Sequence, residues 1–355
     1  MNTNTETNMT EAMPGTGAVY VQTNDASANQ VLAFARNVDG ALDSVGAYAT
    51  GGRGSGAAHL PSQGSVVVTD DGRTLIVVNA GSDDVSSFAI EEGGLRLVGT
   101  VASGGSAPRS VAVRRNVAYV LNNAAPANVT GFRIGLDGSL EAIAGSTRAL
   151  SAPDSDPAQV AFSPDGLSLL VTERGTDAIV AFTVAADGTL GAVTTQPSSG
   201  PTPYGFAFTR NGTVVVTEAF RAEKGKAAAS SYLVGAGMLE PVTRSIGNGR
   251  SEICWAVVSK DDRFAFTTNF ADGAVSRYAI EADGSLRLED ATAGLAVDGQ
   301  TGLRDEELSA DGRFLYAIDA DGRRIYGWAV GSEGELAQVG SWDGLPATVA
   351  GLAAL

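Results

Sequence analysis

The chain has 355 residues, 44% hydrophobic and 18% charged, a balance that supports a large buried core and excludes general disorder. Asp and Glu outnumber Lys and Arg by 40 to 24, which gives a net charge of −16. A surface this acidic repels nucleic-acid phosphates and anionic lipid. We therefore expect a small-molecule substrate, and neither nucleic acid nor a membrane as partner. The single cysteine, Cys254, excludes an intrachain disulfide and a cysteine-based zinc site, and His59 is the only histidine.

The first 16 residues are polar and lack the basic and apolar regions of a signal peptide. No later stretch approaches the roughly 18 apolar residues that a membrane-spanning helix needs. The sequence therefore predicts a disordered tail at 1–16 and one domain at 17–355. We expect a monomer in the cytoplasm, a location that a signal peptide already removed from the chain would change.

A short phrase recurs along the whole chain: an acidic residue (alanine in the fifth copy), then Gly, one further residue and Leu. Its leucines are 53, 45, 50, 49, 47 and 50 residues apart and comprise Leu42, Leu95, Leu140, Leu190, Leu239, Leu286 and Leu336. Turns such as SPDG, which ends at Gly166, stand between these phrases. Seven copies of a unit of about 50 residues are typical of a repeat architecture.

Each repeat reads as four short strands separated by Asp-Gly turns. In the fourth copy these strands are 159–163, 168–173, 178–184 and 190–195, rich in Val, Ala, Phe and Thr. Four antiparallel strands repeated seven times predict an all-β, seven-bladed β-propeller, with a β-solenoid as the alternative. The chain begins with a second-strand pattern and ends with a first-strand pattern. We therefore expect the N- and C-terminal strands to close blade one together, which removes open sheet edges.

Polar residues end the second strand of most repeats, about nine residues before the aromatic residue of the third strand. They are Asn79, Asn123, Glu173, Glu218, Asn269 and Asp319. Such residues can simply bond the following turn. The alternative is that they surround one mouth of the central channel and take part in function. This alternative applies above all to the two glutamates, because Glu is a poor turn residue.

The beginnings of the first strands supply a second ring at the same mouth. It contains Arg109, Gln159, Trp255 and Asp305, with the neighbouring residues Gln63, Tyr204, Cys254 and Glu306. Arginine, glutamine, aromatic and carboxylate side chains at equivalent positions are more varied than packing alone requires. The sequence therefore predicts a binding cleft at this mouth.

The segments 62–90, 157–184, 203–219 and 309–330 resemble the lactonase family of seven-bladed propellers, and the resemblance spans about residues 17–355. That family includes propeller-type 6-phosphogluconolactonase and carboxymuconate lactonizing enzyme. The family's glutamate in blade five falls on Glu218. Basic residues of the family are replaced by Gln159, by the pair Tyr204-Gly205 and by Phe270, which argues against a phosphorylated substrate because little remains to hold a phosphate. The chain is thus identified as a divergent member.

The resemblance implies opening of a small lactone or the reverse ring closure, as a hydrolase or a cycloisomerase. Glu218 or Glu173 would move the proton as general base, and His59 could act as acid if its loop covers the mouth. Arg109 and Arg174 could orient a substrate carboxylate. The remaining predicted substrate contacts are Gln63, Gln159, Tyr204, Trp255, Asp305 and Glu306.

Two further readings stay open at this point. In the first, Asn79, Asn269 and Asp319 join the two glutamates as oxygen ligands of Ca²⁺ or Mg²⁺, in a metal-dependent reaction like that of gluconolactonases, although no cofactor is required. In the second, the propeller is a non-enzymatic binding module, because fold does not imply function. The basic loop 221–230 would then be a rim, lid or docking element.

Overall fold

The computed structural model describes residues 17–58, 60–235 and 237–355. They form seven small antiparallel sheets arranged in a ring, which confirms the prediction of an all-β, seven-bladed propeller. Each blade contacts its two neighbours through their first strands. The predicted tail at 1–16 and His59 lie outside the described residues.

The strands follow one another in chain order, four to a blade, except that blade three has a short fifth strand. Those of blades one to three are β1 (Gly17–Gln22), β2 (Gln30–Arg36), β3 (Leu42–Ala49), β4 (Val66–Val68), β5 (Thr74–Asn79), β6 (Asp84–Glu91), β7 (Gly94–Ala102), β8 (Pro108–Arg114), β9 (Val117–Asn122), β10 (Asn128–Ile134), β11 (Leu140–Ala142) and the short β12 (Arg148–Ala149). Those of blades four and five are β13 (Pro157–Phe162), β14 (Ser168–Glu173), β15 (Ala178–Val184), β16 (Leu190–Pro197), β17 (Pro203–Phe208), β18 (Thr213–Glu218), β19 (Ala228–Gly235) and β20 (Met238–Gly247). The last two blades and the closing strand are β21 (Ile253–Val258), β22 (Phe264–Asn269), β23 (Ala274–Ile280), β24 (Leu286–Leu295), β25 (Leu303–Leu308), β26 (Phe314–Asp319), β27 (Arg324–Val330), β28 (Leu336–Asp343) and β29 (Ala350–Ala354).

Blade four agrees closely with its predicted strands, and its first turn shows why the sequence pattern was informative. Gly166 has a φ of +76°, a left-handed conformation that glycine adopts without steric cost. The hydroxyl of Ser163 donates to the carboxylate of Asp165 at 2.6 Å, and the same carboxylate accepts the backbone N–H of Leu167 at 2.9 Å. The SPDG phrase thus satisfies its own turn and fixes the register of the hairpin.

Blade one is closed as expected by the two ends of the chain. The last strand, β29, pairs antiparallel with β1, with Ala353 opposite Tyr20 and Leu352 opposite Val21. Blade one therefore takes its innermost strand from the C-terminus and its other three strands from the N-terminus. This pairing leaves no unpaired sheet edge at the seam of the ring.

The hydrophobic core is divided among the interfaces between blades. Seven apolar clusters lie one at each interface, from blades one and two round to blades seven and one. Six of the repeated leucines are buried at the start of an outer strand, for example Leu190, which is 3% exposed. Burying such a side chain contributes about 1.5–3 kcal/mol, which explains why the leucine recurs in every repeat.

The ring leaves a central channel lined by the first strand of each blade. We call the end at which these innermost strands begin, and the second strands end, the upper mouth. At the opposite end, the lower mouth, the SPDG-like turns join first to second strands. Among the described residues no helix is long and apolar enough to cross a membrane.

Candidate active site at the upper mouth

The polar residues that end the second strands, here called the strand-end ring, are bonded to nearby strands and to the loops that connect the blades. Glu218, which is fully buried, accepts hydrogen bonds from the backbone N–H of Gly200 at 2.7 Å and from the hydroxyls of Ser230 and Ser245 at 2.6 Å each. The hydroxyl of Ser198 adds a longer contact at 3.3 Å. The carboxylate therefore ties the end of β18 to the strands beside it.

Glu173 occupies the equivalent position in blade four and is also fully buried. It accepts the backbone N–H of Ser151 at 2.9 Å, the hydroxyl of the same serine, and the hydroxyl of Thr176 at 2.5 Å. Both predicted catalytic glutamates thus bond the loop that leads into their blade from the preceding one.

The amides of the ring behave in the same way. Asn79 accepts hydrogen bonds from the side chains of Asn29 at 2.9 Å and Thr50 at 2.7 Å. Asn269 accepts one from the side chain of Asn248 at 2.9 Å. Each amide joins the end of a second strand to a neighbouring turn, the behaviour expected of a turn-bonding residue.

Asp319 completes the set of predicted cation ligands and accepts the backbone N–H of Gly322 at 2.7 Å. It belongs to blade seven, whereas Asn79 and Asn269 belong to blades two and six. In the part of the chain that the structure describes, no group of three or more His, Cys, Asp or Glu side chains is arranged to hold a metal ion.

In blade three the second strand ends at Asn122, one residue before the predicted Asn123. Asn122 pairs with Asn128 across a turn that is one residue longer than the turn between Asn79 and Asp84 in blade two. The nine-residue spacing to the aromatic residue therefore does not hold in this blade. The fully buried amide of Asn122 donates to the carbonyl of Ser103 at 3.2 Å.

A second set of residues at the upper mouth has a shared and unusual backbone. The residue immediately before the innermost strand, which we call the lead-in position, has a positive φ in five successive blades. These residues are Ala107 (52°), Asp156 (46°), Thr202 (59°), Glu252 (53°) and Gly302 (126°). A left-handed conformation costs a non-glycine residue about 1–2 kcal/mol, and such strain is concentrated at functional sites.

Each lead-in carbonyl accepts the backbone N–H of the residue that follows the strand-end ring. In blade four the Arg174 N–H donates to Asp156 at 3.1 Å, and in blade six the Phe270 N–H donates to Glu252 at 2.9 Å. This bond ties the lead-in residue to the turn after the second strand in its own blade. The geometry therefore brings Asp156, Thr202 and Glu252 to the same mouth as the two turn residues.

A pocket of about 340 Å³ opens there between blades four, five and six. Its lining combines two arginines and a carboxylate with aromatic and small side chains. The lining residues are Arg174, Thr202, Tyr204, Ala219, Arg221, Ala222, Glu252, Cys254 and Phe270.

One side of this upper pocket is a cluster of two arginines on one carboxylate. Asp156 accepts Nη1 of Arg109 at 3.0 Å and Nη2 of Arg174 at 2.6 Å. Burial alone would raise the pKa of Asp156, but the two arginines hold it below its ordinary value. The Arg174 guanidinium lies over the ring of Tyr204, 4.9 Å from its centroid. Its planar fork is thereby fixed at the pocket wall.

The other side of the pocket holds Glu252, which is half-buried. Its carboxylate makes no hydrogen bond and no ion pair with any residue that the structure describes. Burial, and then the negative charge of Asp272, raise the pKa of Glu252 above its ordinary value. A carboxylate without a partner and with a raised pKa is suited to accept a proton from a substrate or water.

Arg221 belongs to the basic loop that the sequence singled out. The loop begins in a single 3₁₀ turn, Phe220–Ala222, and ends where β19 starts at Ala228. The exposed Arg221 side chain forms an ion pair with Asp177, and its backbone N–H donates to the hydroxyl of Thr202 at 3.0 Å. These contacts fix the first turn of the loop beside the pocket.

The remaining predicted substrate contacts lie elsewhere in the channel. The amide of Gln159 bonds both backbone groups of Phe206, at 2.6 and 2.9 Å, and so joins blades four and five. Gln63 does the same with Ala256 of blade six, at 2.8 and 3.1 Å. Both amides are therefore used in holding the ring together.

Trp255, Asp305 and Glu306 line a different cavity, which opens at the lower mouth. Of the residues predicted as substrate contacts, the structure brings Arg174 and Tyr204 to the upper pocket, with Arg109 behind them. The single predicted cleft is thus two cavities. The ring of Trp255 lies 5.4 Å from that of Tyr204, at the boundary between them.

Sequence analysis missed Glu252, Asp156 and Thr202 as site residues. A signal for them is present, because Pro108, Pro157 and Pro203 each begin an innermost strand and mark the preceding residue as the lead-in position. In blade six the proline is replaced by Ile253, so the register alone has to identify Glu252.

Comparison with known proteins agrees with this architecture. The sequence matches the family model "Lactonase, 7-bladed beta-propeller" over residues 27–219. The fold is similar to that of the periplasmic gluconolactonase PpgL of Pseudomonas aeruginosa, with a TM-score of 0.75 and 19% identity over 96% of this chain and 99% of that one. The fold is also similar to that of a protein of Bacteroides uniformis proposed to be a 6-phosphogluconolactonase, with a TM-score of 0.74 and 19% identity over 94% of this chain and 98% of that one. A search of curated proteins found no match.

The family match covers more than half of the chain, from blade one to the end of the second strand of blade five. The low identity to the solved structures supports the fold without transferring an activity. The predicted resemblance is confirmed, and the chain belongs to the lactonase family of seven-bladed β-propellers.

Proposed function

We propose that the protein hydrolyses a small uncharged sugar lactone in the upper pocket, with Glu252 as general base and Arg174 as the group that stabilises the oxyanion. The observation that carries this proposal is the Glu252 carboxylate, which has a raised pKa and no partner among the described residues. It lines the same pocket as the guanidinium of Arg174. Family membership supports the reaction class.

The chemistry follows from these two groups. Glu252 takes a proton from a water molecule as that water attacks the lactone carbonyl carbon. The carbonyl oxygen becomes an oxyanion, which Arg174 stabilises by a charge-assisted hydrogen bond. The ring C–O bond then breaks, and the proton held by Glu252 passes to the departing alkoxide. The products are one hydroxyl and one carboxylic acid, which ionises and releases a proton to solvent.

Glu218 and Glu173 were the bases suggested by the sequence, and their contacts make them less suitable than Glu252. Glu218 accepts one backbone N–H and three hydroxyl groups, and Glu173 is bonded in a similar way. Because these hydrogen bonds already occupy the carboxylate oxygens, neither glutamate offers a free oxygen to a water molecule. Neither glutamate lines the upper pocket.

The charge of the pocket supports an uncharged lactone. Arg109 and Arg174 share Asp156, and Arg221 is paired with Asp177. With Glu252, three carboxylates offset three arginines, so no net positive charge remains for a phosphate dianion. The name of the P. aeruginosa neighbour, a gluconolactonase, is in line with this preference.

The test is proton release from glucono-1,5-lactone, 6-phosphogluconolactone and muconolactone, measured with and without EDTA. We expect turnover of gluconolactone that exceeds that of its 6-phosphate and is unchanged by EDTA, because the proposed steps use only side chains of the protein. Glu252→Gln should lower kcat for this turnover by about 10²–10⁴-fold.

Preference for the phosphorylated lactone would contradict the charge argument. Loss of turnover with EDTA would favour the metal-dependent alternative. Activity on muconolactone alone would favour ring closure and its reverse as the natural reaction. No turnover of any lactone would overturn the proposal and favour a binding module.

A further inference from the structure

A second large cavity lies in the central channel, on the side of the lower mouth. Its volume is about 580 Å³, and the innermost strands of several blades form its walls. Half-buried apolar side chains make up much of the surface, among them Val67, Val113, Phe162 and Leu355. We call this cavity the lower chamber.

A short segment of chain separates the lower chamber from the upper pocket. The backbone N–H of Gln63 donates to Ala158 of blade four at 3.3 Å, and its side chain bonds Ala256 of blade six. The next carbonyl, of Gly64, accepts the N–H of Val111 in blade three at 2.8 Å. Residues 60–64 thus cross the channel and bond three blades. A ligand of the chamber would therefore enter by the lower mouth, away from Glu252.

One wall of the chamber carries three successive acidic residues of β25. Asp305 accepts the backbone N–H of Gly351 at 3.0 Å and lies 4.0 Å from the guanidinium of Arg304. Glu307 accepts the backbone N–H of Leu308 at 3.1 Å; burial raises its pKa above the ordinary value, and the charge of Lys260 opposes that increase. These two carboxylates therefore have partners.

Glu306, between them, has none. Its side chain is 2% exposed, and neither carboxylate oxygen makes a hydrogen bond with a described residue. Burial, and then the charge of Glu307, raise the pKa of Glu306 well above its ordinary value. The backbone amide of Thr268 lies near enough to oppose this increase, without meeting the geometry of a hydrogen bond. A buried carboxyl of this kind has to take up a proton or acquire a cation.

We propose that the lower chamber binds a small organic cation, a primary ammonium with an apolar body, whose charge is balanced by Glu306. The apolar walls suit the hydrocarbon part. The lining is acidic, because β25, Asp70 and Asp71 supply carboxylates and Lys260 is the single basic residue among the described lining residues. An ammonium fits better than a metal ion, because among the described residues no group of three or more acidic, His or Cys side chains could coordinate one.

Isothermal titration calorimetry of the full chain with n-butylammonium chloride at pH 8 tests this inference. We expect saturable binding at one site, with at least tenfold weaker binding of 1-butanol, which has the same apolar body and no charge. Glu306→Gln should weaken ammonium binding at least tenfold while the protein stays folded. Glu252→Gln, a matched change in the upper pocket, should leave it unchanged, so the result does not depend on the proposed lactonase activity.

A second variant guards against a folding defect of Glu306→Gln. Val113→Phe should occupy part of the chamber and abolish binding with Glu306 still present. The proposal would be overturned if the ammonium shows no saturable binding or if 1-butanol binds equally well. It would also be overturned if Glu306→Gln or Val113→Phe binds the ammonium as tightly as the unchanged protein does. Tighter binding of calcium chloride than of the ammonium would also overturn it, in favour of a metal site.

Discussion

The strand-end ring and the lead-in positions lie at the same mouth of the propeller, yet they differ in what their side chains contact. Glu218, in the ring, is fully buried and accepts four hydrogen bonds from its own blade and from the loop that precedes it. Glu252, at a lead-in position, is half-buried and has no partner among the described residues. The position of a carboxylate at a channel mouth is therefore not enough to assign it a catalytic role. Its unsatisfied hydrogen-bonding capacity distinguishes the two.

The backbone shows the same division. The ring residues end regular strands, whereas the lead-in residues hold positive φ angles in five successive blades. Because the repeat imposes this conformation in five blades, the four of them without a glycine at this position each present one side chain from a fixed and strained position. Blades four to six use it for Asp156, Thr202 and Glu252, which surround the upper pocket. The scaffold supplies the position, and each blade supplies its own chemistry.

The largest expected effect compares the two glutamates directly. Glu252→Gln should lower kcat for lactone hydrolysis by about 10²–10⁴-fold, the usual contribution of a general base. The melting temperature should hardly change, because the carboxylate bonds no other described group. Steady-state kinetics and thermal unfolding of the same preparation measure both quantities. Retention of full activity would show that Glu252 is not the base.

The matched change Glu218→Gln should mainly affect stability. The new NH₂ group would face donors, including the Gly200 N–H and the Ser230 hydroxyl, so at least one buried donor loses its acceptor. We expect a decrease of about 3 kcal/mol in the free energy of unfolding, measured in denaturant. The kcat of the folded variant should change less than about threefold. A large loss of kcat at unchanged stability would return the catalytic role to Glu218.

The fold could be predicted because its determinants are local and repeated. Leu190 and the SPDG turn that ends at Gly166 act within one hairpin or one interface, and the same phrase recurs in each blade. The site depends on contacts that no local pattern contains. Gln63 bonds Ala256, 193 residues away, and thereby divides the channel into two cavities. The sequence placed both sides of that division in one cleft.

The strand-end ring was recognised for a related reason. Regular spacing identifies equivalent positions, but it does not show which of them have satisfied hydrogen bonds. Glu173 is bonded to Ser151, which lies in a loop 22 residues earlier. Glu252 stands out only when the surroundings of both residues are known. The cytoplasmic location and the monomeric state stay predictions.

A smaller effect should appear in the pH profile of the reaction. The base form of Glu252 increases as pH rises through its raised pKa, so kcat/KM should rise with pH on the acidic limb. Asp272→Asn removes a negative charge that helps to raise the pKa of Glu252, and it keeps an acceptor for the backbone N–H of Ser251. The limb should therefore move to lower pH, by up to about one unit. Asp283→Asn, in a turn at the other end of blade six, should leave the acidic limb at the same pH. If neither variant moves the limb, the group that titrates there is not Glu252.

The smallest effect concerns the strain of the lead-in positions. Ala107 has a φ of +52°. Ala107→Gly relieves the left-handed conformation but gives the unfolded chain more freedom, so we expect a net gain of about 0.5–1 kcal/mol in unfolding free energy. The same change at Ala337, an exposed residue within β28, should cost a similar amount. Opposite signs for one substitution at these two sites would show that the lead-in conformation stores strain in a blade without catalytic residues. The strain would then be a property of the repeated backbone, present also in a blade that contributes no catalytic residue, and blades four to six would use it to position their site residues.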